Sequence, residues 1–132
     1  MTRDAVVSLL ERELPRIVPG LSAAYLFGSY GRDEANPASD VDIGLLYEHL
    51  PSSTLMARPF LAAAELESLL GCPVDMVVMN DAPPDLVHRV LRDGVVIFDA
   101  DRGARIAFEV RARNAYFDLL PVLSRYRRSE RA

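Results

Sequence analysis

Residues 28–42 read GSYGRDEANPASDVD: a Gly-Ser pair, ten residues, then Asp-Val-Asp. Apolar runs flank the stretch. AAYLFG (23–28) predicts a short strand closed by glycine, and VDIGLLY (41–47) predicts the next one. Side chains alternate along a strand, so Asp40 and Asp42 share one face while Val41 and Ile43 take the other. Two carboxylates about 4 Å apart repel by roughly 4 kcal/mol at an effective dielectric of about 20. A shared proton offsets that repulsion, and a divalent cation does so better. A hard ion such as Mg²⁺ takes carboxylate oxygens and keeps positions open for phosphate oxygens.

The other half of the stretch suits the phosphate. Gly28 and Ser29 end the first strand just before a predicted helical turn at Tyr30–Arg32. A helix start presents unpaired N–H groups, glycine allows close approach, and the serine hydroxyl adds a hydrogen bond. DEANPAS (33–39) has the turn chemistry to return the second strand beside the first. Gly28-Ser29 is therefore expected to hold a triphosphate, with Asp40 and Asp42 holding the metals that bridge it. Arg32 is placed to meet phosphate charge. A third carboxylate, Asp75, interrupts the apolar run PVDMVVM (73–79), which is costly unless it faces the same site. It is expected to complete a two-metal centre and take a proton from an attacking hydroxyl. Alone, an Asp-x-Asp is more often a solvated strand edge, and Arg32 pairs as readily with Asp33 or Glu34. The conjunction carries the reading.

Outward from this centre the chain alternates helices and strands. Arg3 to Val18 has helical spacing, with Pro15 expected to kink or split it. Leu55 to Leu70 reads as a helix stopped by Gly71, and residues 84–92 as a short helix capped by Gly94. VVIF (95–98) is a last strand. Asp101 to about Arg128 is one long helix, with Ile106, Val110, Phe117 and Leu120 expected to point inward. This predicts a mixed α/β (α+β) fold: about four strands, helices on one face, the other face free for a site. One domain is expected over residues 1–132, with a catalytic core at about 21–100 and the C-terminal helix at about 101–128.

Composition narrows the function. The chain has 132 residues and a net charge of −4, against generic nucleic-acid binding. Residues 102–131 hold 8 of the 15 basic and 3 of the 19 acidic residues, a local +5 that leaves −9 on the rest. Every basic residue is arginine, which removes lysine nucleophiles and phosphate-loop lysines. No apolar run approaches the roughly 18 residues of a membrane span. The single cysteine, Cys72, forms no internal disulfide and fits a reducing cytoplasm. It is expected to be a small buried thiol, and His88 and His49 to be structural or solvated.

Gly28, Ser29, Asp40 and Asp42 match the identifying pattern of the nucleotidyltransferase superfamily that includes DNA polymerase beta, and Asp75 matches its third carboxylate. The short chain, the run LGCPVDMVVMNDAPPDLVHRVLRDGVVIF, and RARNAYFD (111–118) resemble the minimal nucleotidyltransferases (MNT) that act as antitoxins. The resemblance implies Mg²⁺, two ions, and ATP. It implies AMP transfer to a tyrosine of a cognate HEPN-domain ribonuclease toxin, in a hetero-oligomer with it. Family members often follow Gly-Ser with arginine and end the turn with Arg-Gly. Here Tyr30 and Asp33 stand at those places, and Arg32 is kept. The competing expectations are a binding-only antitoxin that masks its toxin, and a small-molecule nucleotidyltransferase.

Overall fold

The computed structural model describes residues 2–49 and 58–131. The chain runs α1 (Arg3–Ile17), β1 (Leu21–Phe27), the one-turn α2 (Gly28–Gly31), β2 (Val41–Tyr47), α3 (Arg58–Leu70) and β3 (Val74–Val78). A 3₁₀ turn (Met79–Asp81), α4 (Pro84–Asp93), β4 (Val95–Asp99) and α5 (Arg102–Arg131) complete it. The four strands form one mixed sheet in the order β3-β2-β1-β4. β1 is antiparallel to both β2 and β4, and β2 is parallel to β3 across the α3 connection. The start expected at Leu55 for α3 falls outside the described residues.

Helices cover both faces of the sheet, which corrects the expectation of one. The reason is that the central strands are apolar on both sides: every residue of β1 is buried. On one face α1 and α3 pack Val6, Leu10, Leu14, Ala62 and Leu66 against Ala24, Leu26, Val41, Ile43 and Leu45. On the other, Val87 and Val90 of α4, with Phe108 and Ala112 of α5, pack against Ala23, Tyr25, Phe27 and Leu46. Gly44 lets α4 close on β2, since a Cβ there would meet the Met79 sulfur at 2.8 Å and a Val90 methyl at 3.0 Å.

Pro15 does not split α1, which runs unbroken from a Thr2 cap that accepts from the Ala5 N–H at 3.2 Å. Pro15 lies in the last turn on the solvent side, so the carbonyl it leaves without a donor, that of exposed Glu11, reaches water.

The inward side of α5 also differs from expectation. Ile106, Val110 and Phe117 are 41%, 46% and 61% exposed, and Leu120 is half-buried. Ion pairs set the roll of the helix. Arg105 donates to Asp99 of β4 at 2.8 Å and to Glu109 at 2.9 Å, and Glu109 accepts from the Tyr25 hydroxyl of β1 at 2.8 Å. Burial and the bond to Glu109 push the Tyr25 hydroxyl well above its ordinary pKa, so it stays a donor. Tyr116, on the same side of α5, stacks on His88 of α4 with ring centroids 3.6 Å apart. Among the described residues no helix is long and apolar enough to cross a membrane.

Candidate functional site

Three neighbouring segments meet at one rim of the sheet. β1 ends at Phe27, and Gly28 opens α2 with a φ of +65°, a conformation glycine adopts without strain. An added Cβ on Gly28 would collide with the Asp42 carboxylate, so the Gly-Ser turn lies directly on that side chain. The first amides of α2 have no partner within the helix. Ser29 follows, half-buried.

The loop back to β2 is built from its own polar groups. The Asn36 side chain accepts from the Ala38 N–H at 2.8 Å, the Asn36 N–H donates to the Ser39 hydroxyl at 2.9 Å, and the Ser39 N–H donates to the Asn36 carbonyl at 2.9 Å. This turn delivers Asp40 to the start of β2, where Phe27 and Asp42 are paired. In the parallel neighbour, Asp75 is the register partner of Asp42. Val41 and Val74, also partners, are buried in the α1–α3 core, so Asp42 and Asp75 both face the opposite side.

The electrostatics follow from that placement. Asp42 is half-buried, while Asp40 and Asp75 are exposed. Burial raises the Asp42 pKa above the ordinary carboxylate value, and the charges of Asp75 and Asp40 raise it further. Arg32 and Arg89 pull the other way. Among the described residues, none of the three aspartate side chains has a hydrogen bond or an ion pair. They stand as neighbours rather than a closed cage, since no three His, Cys, Asp or Glu side chains among the described residues are grouped to hold a metal ion. The donor chemistry, oxygen-only and anionic, is that of a hard divalent cation.

Arg32 takes the ion-pairing role weighed for it. Its guanidinium binds Glu34 at 3.1 Å and Asp93 at 3.3 Å, and so ties α2 to the end of α4. Arg89, whose charge acts on Asp42, is not singled out by the sequence. Its sequence neighbourhood, DLVHRVLRD, signals only an amphipathic helix, and no spacing rule reports which of its arginines overlooks β2. His88 is spent on its stack with Tyr116. Burial raises the Cys72 thiol, which keeps it protonated and poorly nucleophilic. A cavity of about 600 Å³ lies at the far end of the strands, among Leu21, Tyr47, Met79, Phe108 and Arg111.

Residues 14–103 match the polymerase beta nucleotidyltransferase family. The protein adenylyltransferase MntA of Thermococcus cleftensis is 38% identical over 79 residues, covering 59% of this chain and 76% of that protein. A chain of a crystal structure of a toxin–antitoxin with AMP-PNP superposes with a TM-score of 0.81 at 23% identity, over 100% of both chains. A chain of the complex between a tri-AMPylated Shewanella oneidensis HEPN toxin and its MNT antitoxin does so at 0.80 and 22% identity, over 99% of this chain and 100% of that one. These two likenesses show a shared fold. With the Gly-Ser turn resting on Asp42 and Asp75 beside it in register, the chain belongs to the polymerase beta nucleotidyltransferase family, among its minimal, MntA-like members.

Proposed function

We infer that this protein transfers AMP from ATP to a tyrosine hydroxyl of a cognate HEPN-domain toxin and so acts as its antitoxin. The observation that carries the reading is the meeting of a phosphate-type Gly-Ser turn with Asp42 and Asp75 on one face of neighbouring strands. The names of its relatives support the reaction and the partner: a protein adenylyltransferase, and complexes of MNT antitoxins with HEPN toxins. The exposed apolar stripe of α5, Ile106, Val110 and Phe117, is the surface assigned to that partner. The fold in those complexes extends over the same full length, α5 included.

The roles follow from position. The amides of Gly28 and Ser29 bind the phosphates. Asp40, Asp42 and Asp75 would hold two Mg²⁺ ions, which when bound neutralise the triphosphate and align it. The acceptor oxygen attacks the α-phosphorus in line, the bond to the β-phosphate oxygen breaks, and pyrophosphate leaves. Asp75, exposed at the rim and without a competing side-chain partner among the described residues, receives the hydroxyl proton. Arg32 braces α4 against the Gly-Ser turn and adds positive field at Asp42. The chain thus works by position and charge, without a covalent intermediate.

The open spacing of the three aspartates is the one observation that favours a second reading, in which the protein masks its toxin without catalysis. Intact-mass measurement of the partner after incubation with this protein, ATP and Mg²⁺ separates the two. A gain of AMP units that disappears with Asp40→Ala plus Asp42→Ala supports transfer. An unchanged mass with full inhibition establishes masking instead.

A further inference from the structure

α4 presents two polar sides in addition to its buried one. His88 and Arg92, four apart, form one side: His88 stacks on Tyr116 of α5, and Arg92 binds Asp93 at 2.9 Å. Arg89 and Asp93, also four apart, form the other. That second side faces the rim. Asp93 is held to Arg32 of the Gly-Ser turn at 3.3 Å. Val90, next to Arg89, presses on β2 at Gly44, which is two residues from Asp42 on the same face of the strand. α4 therefore runs past the stretch of β2 that holds Asp42, with Arg89 on the side of the helix that Asp93 turns toward the Gly-Ser turn.

The arginines near the rim differ in what they already bind. Arg32 is engaged with Glu34 and Asp93, and Arg92 with Asp93. Arg3 donates to the Tyr30 carbonyl at 2.8 Å. The Arg89 side chain has neither a hydrogen bond nor an ion pair among the described residues, and the residue is exposed. A chain without lysine has only arginine with which to meet a polyphosphate, and a guanidinium presents its donors in a fork suited to phosphate oxygens.

We propose that Arg89 is the residue that binds the β- and γ-phosphates of the nucleotide, the pair that departs as pyrophosphate. The assignment deepens the transfer reading and rests on it. As the α-phosphorus forms its new bond to the acceptor oxygen, the electron pair of the breaking bond goes to the β-phosphate oxygen. Arg89 meets that growing negative charge, and no further reactant is required.

The test is nucleotide binding without any acceptor. Affinities for ATP and AMP are measured by isothermal titration, with and without Mg²⁺, for the wild type, Arg89→Gln, Arg89→Lys and Arg12→Gln. The last makes the same charge change on α1, across the sheet. Loss of a charge-assisted phosphate contact weakens ATP binding about 10- to 100-fold. AMP affinity is expected to stay within about threefold, with Arg89→Lys intermediate and Arg12→Gln unchanged. Circular dichroism confirms that each variant is folded. If the wild type binds ATP and Arg89→Gln leaves the ATP-to-AMP ratio unaltered, Arg89 is not the polyphosphate residue and the transfer reading stands. If the wild type binds no ATP, the transfer reading fails and takes this assignment with it.

Discussion

Gly28 and Asp42 are one device at the scale of single residues. The backbone of the first occupies the space beside the carboxylate of the second, and only a residue without a Cβ leaves that space. Gly28→Ala is expected to cost about 1–2 kcal/mol from the left-handed backbone alone. The displacement of Asp42 adds to it, with transfer lost before the fold is. A thermal melt beside an activity assay reads both, and full activity in Gly28→Ala would refute the close approach. Asp42 supplies a test of pH. Its folded pKa is raised above the ordinary 3.8, so the folded state binds more protons than the unfolded chain between those two values. Stability contributed by the protonated carboxyl is full below pH 3.8 and is lost as pH rises through the folded value. In EDTA, Asp42→Asn is therefore expected to melt at or above the wild-type temperature at pH 7, and the difference should shrink on acidification. On the proposed function Mg²⁺ stabilises the wild type, and Asp42→Asn should lose that stabilisation. A variant less stable than wild type at pH 7 in EDTA contradicts the electrostatic account.

At the scale of elements, the question is how α5 is held. Its apolar residues do not form a single stripe, so hydrophobic pattern alone leaves its roll open. Arg105, Glu109, Asp99 and Tyr25 decide it with directional bonds between the helix and two strands. Tyr25→Phe removes one hydrogen bond while keeping the packing, at about 1 kcal/mol. Glu109→Ala leaves the Tyr25 hydroxyl without its acceptor and Arg105 with Asp99 alone, at about 1–3 kcal/mol. Urea denaturation is expected to rank them in that order, and equal stabilities would show that packing rather than the network holds α5. The contact of α4 with β2 is a second such joint. Gly44→Val inserts a branched side chain where Met79 and Val90 already touch, at about 1–3 kcal/mol. Because the same helix carries Arg89, this substitution also lowers ATP affinity on the proposed assignment, and titration of the variant measures it.

For the whole molecule, the distribution of charge and exposed apolar surface gives α5 two sides with different tasks. One side is bonded to the sheet and to α4. The other shows Ile106, Val110 and Phe117 to solvent, with Arg113 beside them at 57% side-chain exposure. The +5 of residues 102–131 against −9 elsewhere makes this helix the cationic limb of an acidic protein. The side chains of Arg127, Arg128 and Arg131 lie outside the described residues. Val110→Glu with Phe117→Glu changes the stability of the isolated protein by less than about 0.5 kcal/mol, because both positions are already in water. The pair is expected to abolish complex formation with the proposed toxin, as read by size-exclusion chromatography of the mixture. Retained binding would place the partner on another surface.

The order of elements, the antiparallel return of β2 beside β1 and the meeting of Asp42 with Asp75 on one face were legible in the sequence. Strand alternation and turn chemistry are local rules, and residues 28–42 obey them without help from the rest of the chain. The continuity of α1 through Pro15 was not legible, because the helix reading could not know that the orphaned carbonyl would face water. Nor was the second layer of helices, since a run such as LSAAYLF is equally apolar whether one face or both are covered. The roll of α5, and with it the exposure of Ile106, Val110 and Phe117, was fixed by bonds between elements, one of which joins Tyr25 to Glu109 across 84 positions. Arg89 belongs to the same class. The sequence made it an arginine on a helix; the closure of that helix over Gly44 and the bond of Asp93 to Arg32 brought it to the side of α4 nearer the rim, its side chain without an ion pair among the described residues. Local chemistry is written along the chain, whereas which side of a helix meets which strand depends on long-range packing and is settled only when the layers come together.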